Sequence, residues 1–306
     1  PRRDRRVLAP VMDRFEDAVM RRFREDPAIS ACQVVVSTHF LTTNVLGRMR
    51  RRGMLRAPLV TVVTDEHPHA VWLEPGSDLL CVASDTARDA AAAGGIDPAR
   101  IEVTGIPIDP RFCMAPPRFA LPGQAQRANV LVSGGGCGLG DLPRVVASLM
   151  RSLRDADVTV VCGRNEGLER AMRAFAAAHR PGPGVPALHV VGYTKEMHVH
   201  MAAADVLVGK PGGLTTTEAR AVGMPMVLLR PIPGQEERNA ERLVSSGAAV
   251  RADRPDDAGP AAAAILRDPE RLWRMRSAAT AAGRPRAAFD VASRIDALLQ
   301  IGRAHV

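Results

Sequence analysis

Two segments of this chain carry residues suited to holding a phosphate. The first, Ser133–Asp141, reads SGGGCGLGD and stands between an apolar run and the helix-like PRVVASLMRSL. Glycine lets backbone N–H groups approach an anion closely, and the start of a helix favours negative charge. A diphosphate fits this loop with Gly134, Gly135 and Gly136 as contacts, and a tight turn with no ligand fits it equally well.

The second segment, ADVLVGKPGGLTTTEARAVGMPMVLL at 204–229, runs from an apolar stretch into Gly-Gly and a threonine-rich helix start. Lys210 supplies charge, Pro211, Gly212 and Gly213 shape the turn and leave N–H donors, and Thr215, Thr216 and Thr217 offer caps or hydroxyls. Glu218 follows one turn later, where a carboxylate can accept two hydrogen bonds from a ribose diol; an ordinary first-turn glutamate is the competing meaning. Beyond the next apolar run, RPIPGQEERNAERL at 230–243 gathers Gln235, Glu236 and Asn239. Such side chains pair directionally with vicinal sugar hydroxyls, or simply start a polar helix.

A third cluster lies in DEHPHAVW, from Asp65 to Trp72. Asp65 ends an apolar run and is either a general base or a turn former. His67 and His69 are too tightly spaced around a proline to converge on one metal ion. Trp72 is a lipid-facing ring or a core residue. The basic run GRMRRRGMLR at 47–56 docks on anionic headgroups, at about 1 kcal/mol per basic residue, or forms a solvated face. His198 and His200, two apart on a helical pattern, do not face one another and carry no site.

The elements that position these groups alternate in type. Apolar runs at 31–37, 58–64, 79–84 and 101–106 are followed by others at 129–133, 157–162, 187–192, 204–208 and 225–229, with helical patterns between them. This alternation predicts parallel sheets, whose ligands sit beyond the carboxyl ends of the strands. The proline-rich stretch at 110–127 is read as a linker. It separates a domain over 1–117 from one over 118–300, with 301–306 (IGRAHV) set apart as a non-native tail.

The 306 residues, 46% hydrophobic, suffice for two buried cores. No apolar run approaches the roughly 20 residues that span a bilayer. The five cysteines are scattered and never spaced as a zinc site or disulfide framework. The net charge of +8 comes almost wholly from arginine, the sign of a GC-rich genome rather than of a nucleic-acid ligand, and 3% aromatic content leaves little for base stacking.

Taken together, GKPGGLTTTEARAVGMPMVLLRPIPGQEERNA, VVTDEHPHAVWLEPG and VTGIPIDPRF resemble the glycosyltransferase family of monogalactosyldiacylglycerol synthase and the processive diacylglycerol glucosyltransferases, over about residues 30–250. The resemblance implies an α/β fold of two Rossmann-like doubly wound domains facing a cleft (GT-B type), with the first domain truncated at its N-terminus and a glycine-rich loop bearing a catalytic histidine upstream of residue 1. It implies that Gly163, Arg164 and Tyr193 enclose the nucleotide base, that the PGG and TTTE residues hold diphosphate and ribose, and that Gln235 and Glu236 meet the sugar. Asp65 and His67 become the catalytic candidates; His69 and Trp72 become acceptor contacts. The implied reaction is inverting hexose transfer from a UDP-sugar to diacylglycerol, with no metal and no cofactor. It would take place on the cytoplasmic face of the cell membrane, with peripheral membrane contact and no nucleic acid. Alternatives are N-acetylglucosamine transfer to an undecaprenyl-linked precursor, epimerisation of a sugar nucleotide, or binding without catalysis.

Overall fold

The computed structural model describes residues 21–23, 25–114, 127–136, 138 and 140–304. They divide into two compact units, one formed by the chain up to Pro107 together with Ala287 onward, the other by Ile108–Arg286.

The first unit is built on a parallel sheet of β1 (Val35–Ser37), β2 (Leu59–Val62), β3 (Leu79–Val82) and β4 (Ile101–Val103), paired in that order. β2 and β3 are buried along their whole length, as apolar runs in a parallel sheet covered on both faces must be. On one face Val63, Leu80 and Val82 meet Trp72, Ala87 and Ala91. On the other, Val60, Val62, Leu79 and Cys81 lie against Val291, Ile295 and Leu298 of the last helix, Ala287–Ala304.

That last contact differs from the division read in the sequence, which ended the first domain at 117 and gave 118–300 to the second. Val291, Ile295 and Leu298 form an apolar stripe at helical spacing, and the stripe is buried by the first sheet. Residues 115–126 of the expected linker lie outside the described residues, while Arg111–Met114 ahead of them form a short helix. Within the expected tail, helix continues to Ala304 and residues 305–306 lie outside the described residues.

The second unit holds β5 (Ala128–Ser133), β6 (Ala156–Val161), β7 (Leu188–Val191), β8 (Val206–Gly209), β9 (Met226–Leu229) and β10 (Ala249–Ala252). All pairings are parallel, in the order β10-β9-β8-β5-β6-β7. This is the doubly wound order of dinucleotide-binding folds, and it reverses between β5 and β8. Alternation along the strands sends Val130, Val132, Val206 and Val208 to one core and Leu131, Leu207, Met226 and Leu228 to the other. Ser133 and Gly209 are paired across the reversal, and a Cβ on Gly209 would stand 2.7 Å from the Ser133 carbonyl oxygen. Only glycine lets the two strand ends approach this closely at the point where ligands of such folds bind.

Candidate functional site

The loop after β5 is shaped by hydrogen bonds to itself and to its neighbour. The Gly135 N–H donates to Ser133 Oγ at 3.2 Å, and the Gly138 N–H donates to the Gly135 carbonyl at 3.0 Å. The loop after β6 docks on it: the Arg164 N–H donates to the Gly136 carbonyl at 3.0 Å. Gly163 has φ +61°, and a Cβ there would lie 2.6 Å from the Gly136 oxygen. Gly134 is buried, Gly135 half-buried and Gly136 exposed.

The helix that follows, Leu142–Ser152, carries a side-chain cap at its start. The Asp141 carboxylate caps it, accepting from the Arg144 N–H at 3.5 Å and lying 3.8 Å from the Arg144 guanidinium. Of the two helix starts expected to meet phosphate, one has no side chain bonded over its N-cap.

That one is the start of Gly213–Ala221, directly after β8, whose N-cap is Gly212 with no side chain bonded over it. The first turn is locked from within. The Thr216 and Thr217 hydroxyls donate to the Gly213 carbonyl at 3.0 and 2.8 Å, and the two residues are 1% and 3% exposed. Thr216, expected among the ligand contacts, therefore spends its hydroxyl on the backbone; Thr215, Gly212 and Gly213 are half-buried at the surface. Arg220 lies in the same helix, buried, its Nε donating to the Thr216 carbonyl at 3.3 Å, and burial lowers its guanidinium to about 10. This cation was missed in the sequence because an arginine in a helical pattern ordinarily reads as exposed.

Lys210, between β8 and that helix, places its ammonium 3.2 Å from the Glu236 carboxylate, whose other oxygen accepts the Ile232 N–H at 2.7 Å. Gln235 is exposed beside it. Asn239 does not reach outward: it is 6% exposed and donates through Nδ2 to the buried Pro211's carbonyl at 2.9 Å, holding the Pro-Gly-Gly turn rather than meeting a sugar.

Glu218 is half-buried, and its carboxyl is pushed up to about 7, first by burial and then by the charge of Asp109. Asp109 itself is held at about 2 by Arg111. Across the sheet, the Arg164 guanidinium sits 4.5 Å over the Tyr193 ring, and Tyr193 is 52% exposed. A cation stacked on a half-exposed aromatic face makes a flat platform suited to a planar base.

In the first unit the indole N–H of Trp72 donates to Asp65 at 2.5 Å. Trp72 is 2% exposed and meets Phe40 edge-on at 6.1 Å, so it is a core residue, and the reading of its ring as an acceptor contact does not hold. His69 lies 6.3 Å from Phe40, half-buried, whereas His67 is exposed. Within the basic run, Met49 and Leu55 are buried, Arg50 is bonded to Asp78 at 2.9 Å, and Arg51 is paired with the buried Glu74. Among the described residues no three His, Cys, Asp or Glu side chains gather as a metal cluster, and no helix is long and apolar enough to cross a membrane.

Comparison with known proteins follows the same division. The monogalactosyldiacylglycerol (MGDG) synthase family matches residues 3–108, and the glycosyltransferase family 28 C-terminal domain matches residues 129–256. The processive diacylglycerol beta-glucosyltransferase of Bacillus subtilis (strain 168) is 30% identical over 239 residues, 76% of this chain and 60% of that protein. Its counterpart in Staphylococcus aureus (strain Newman) is 30% identical over 240 residues, 77% of this chain and 60% of that protein. This chain thus spans about 60% of the length of the curated relatives it matches. Among solved structures, Acinetobacter baumannii MurG has a TM-score of 0.65 at 18% identity, covering 92% of this chain and 77% of that one. The UDP-GlcNAc 2-epimerase of Neisseria meningitidis, bound to UDP-GlcNAc, has a TM-score of 0.64 at 12% identity, covering 94% and 81%. At such identities the likeness shows the fold, two Rossmann-like parallel-sheet units of the GT-B type.

Proposed function

We propose that the chain, matched over its two halves by the monogalactosyldiacylglycerol synthase and glycosyltransferase family 28 C-terminal models, is a member of the glycosyltransferase family of the monogalactosyldiacylglycerol synthases and processive diacylglycerol glucosyltransferases, and that it moves a hexose from a UDP-sugar to the hydroxyl of diacylglycerol, inverting the anomeric carbon. The observation that carries this reading is the glycine-capped helix start at Gly212, set at the strand reversal with Lys210 beside it and Glu218 one turn further on.

The chemistry follows from those groups. The diphosphate binds across the N–H groups of the first turn, where the helix dipole and Lys210 meet its charge. The acceptor oxygen bonds to the anomeric carbon as the bond from that carbon to the diphosphate oxygen breaks, and the same dipole and ammonium stabilise the negative charge left on UDP. Glu218 in its charged form accepts from the ribose hydroxyls, Arg164 and Tyr193 flank the uracil, and Glu236 with Gln235 reads the hexose. Asp65, held by the Trp72 indole, takes the acceptor proton, with His67 the nearby alternative in sequence. The acceptor reaches the enzyme from a membrane surface, which makes the protein a peripheral one on the cytoplasmic face.

Calorimetric titration with UDP and UDP-glucose tests the donor site. Binding of both, weakened at least about tenfold in Glu218→Ala, is the expected result, since a hydrogen-bonded charged group contributes about 1.5–3 kcal/mol. A folded chain that binds neither ligand overturns the proposal. Transfer of labelled glucose to diacylglycerol vesicles then tests the acceptor. The epimerase and lipid-precursor readings rest on likeness of fold alone.

A further inference from the structure

We propose that Arg111 is the positioning residue for the base-binding loop, clipping the segment after β7 to the start of the second unit. The inference rests on the donor-site reading above and assigns a role to a residue that the reading left without one.

The segment Ile108–Met114 is firmly seated. Ile108 and Phe112 are 7% and 4% exposed within the second unit's core, and the Phe112 ring stands edge-on to His198 at 6.0 Å. The Arg111 guanidinium is aligned from behind by Asp109, which accepts its Nε at 3.1 Å, its Nη2 at 2.8 Å and its backbone N–H at 2.9 Å. The far side of the fork crosses to the loop: Nη1 donates to Glu196 Oε1 at 3.2 Å and Nη2 to the Lys195 carbonyl at 3.2 Å. Glu196 turns back in the same loop, its N–H donating to Thr194 Oγ1 at 2.9 Å. Residues 194 to 196 are thereby tied in succession immediately after Tyr193, the platform residue.

These side chains are exposed, at 47% for Arg111, 40% for Asp109 and 57% for Glu196. Exposed ion pairs add little to global stability. What a planar, multiply bonded guanidinium does supply is a fixed geometry for a loop, and a loop ordered before binding spares the ligand the cost of ordering it. The effect of Arg111 is therefore on recognition of the base and not on retention of the fold or of the diphosphate.

The chain has a single tyrosine, so tyrosine labelled in its ring with carbon-13 gives one NMR spin system that reports on residue 193 alone. Arg111→Ala is compared with the unaltered chain by that signal, by thermal unfolding, and by calorimetry with UDP and with inorganic pyrophosphate. The expected result is an unchanged unfolding midpoint, a shifted or broadened Tyr193 signal, unchanged pyrophosphate binding, and UDP binding weakened about fivefold, the upper range for an exposed ion pair. Arg111→Lys does not restore it, because an ammonium gathers its donors at one point and lacks the planar fork that bonds Asp109 through Nε and Nη2 while Nη1 and Nη2 reach the loop. Glu196→Ala gives part of the same selective loss. Arg111→Ala that binds UDP as the unaltered chain does, or that loses UDP and pyrophosphate equally, overturns the proposal. Failure of the unaltered chain to bind UDP overturns the donor-site reading itself.

Discussion

The ammonium of Lys210 lies 3.2 Å from the carboxylate of Glu236, so the group expected to meet diphosphate is joined to the group expected to meet sugar. The pair predicts separable effects. Lys210→Met weakens UDP and UDP-glucose alike, by roughly tenfold or more, as loss of a hydrogen bond from a charged group implies. Glu236→Gln leaves UDP nearly unchanged and weakens UDP-glucose. Calorimetry with both ligands on both variants checks the split.

Glu218 predicts a pH dependence. Its carboxyl holds a proton up to about 7, mainly because it is buried, while ribose hydroxyls donate best to the charged form. UDP affinity therefore rises as pH climbs through about 7, and Glu218→Gln removes that slope. Dividing one titration by the other cancels the nucleotide's own phosphate ionisation. Stability runs the opposite way. The folded chain keeps a proton that the unfolded chain releases above the ordinary value of 4.5, so this residue's contribution falls as pH rises from there to about 7.

Trp72→Phe removes the indole N–H bonded to Asp65 and leaves a gap in the first unit's core. A loss of about 1–3 kcal/mol is expected in denaturant unfolding of that unit. Donor binding by the second unit stays the same, which calorimetry with UDP verifies. Lipid transfer falls further than stability alone accounts for if Asp65 is the base.

Gly163→Ala forces a side chain into a backbone at φ +61° and against the Gly136 carbonyl. The docked loops separate or strain, at about 1–3 kcal/mol. The expected readouts are a lower unfolding midpoint and weaker UDP binding together; Gly136→Ala, with nothing within 4 Å of its Cβ, is milder in both.

Much of this was legible in the residues. Strands β1 to β9 lie where short apolar runs bounded by turn residues placed them, because a strand buried on both faces has little choice of composition. β10 went unread, since AVRA carries an exposed arginine and a half-buried valine at a sheet edge, with no apolar run to mark it. The Gly212 helix start was legible because glycine followed by threonines is a local signal. The capping of its counterpart by Asp141 depends on side-chain geometry that the motif SGGGCGLGD does not specify. Asn239 and Trp72 illustrate the same limit: their types suit ligand contact, and only tertiary packing turns one toward Pro211 and the other toward Asp65. Arg111 shows the reverse, a residue within a plain Asp-Pro-Arg turn whose partner stands 85 positions away.

The helix Ala287–Ala304 gives the chain a nested topology: the second unit is an insertion between the first unit's sheet and the helix that completes it. The two crossings leave and rejoin close together, for the Cys113 thiol donates to the Pro285 carbonyl. During synthesis the Val60–Cys81 face of the first sheet waits for this helix until the whole second unit has been made. Folding of the insertion then brings its own two ends side by side and hands the last helix to a partner translated nearly two hundred residues earlier. A premature stop immediately before Ala287 would thus spare the unit in which it falls and cripple the one begun long before.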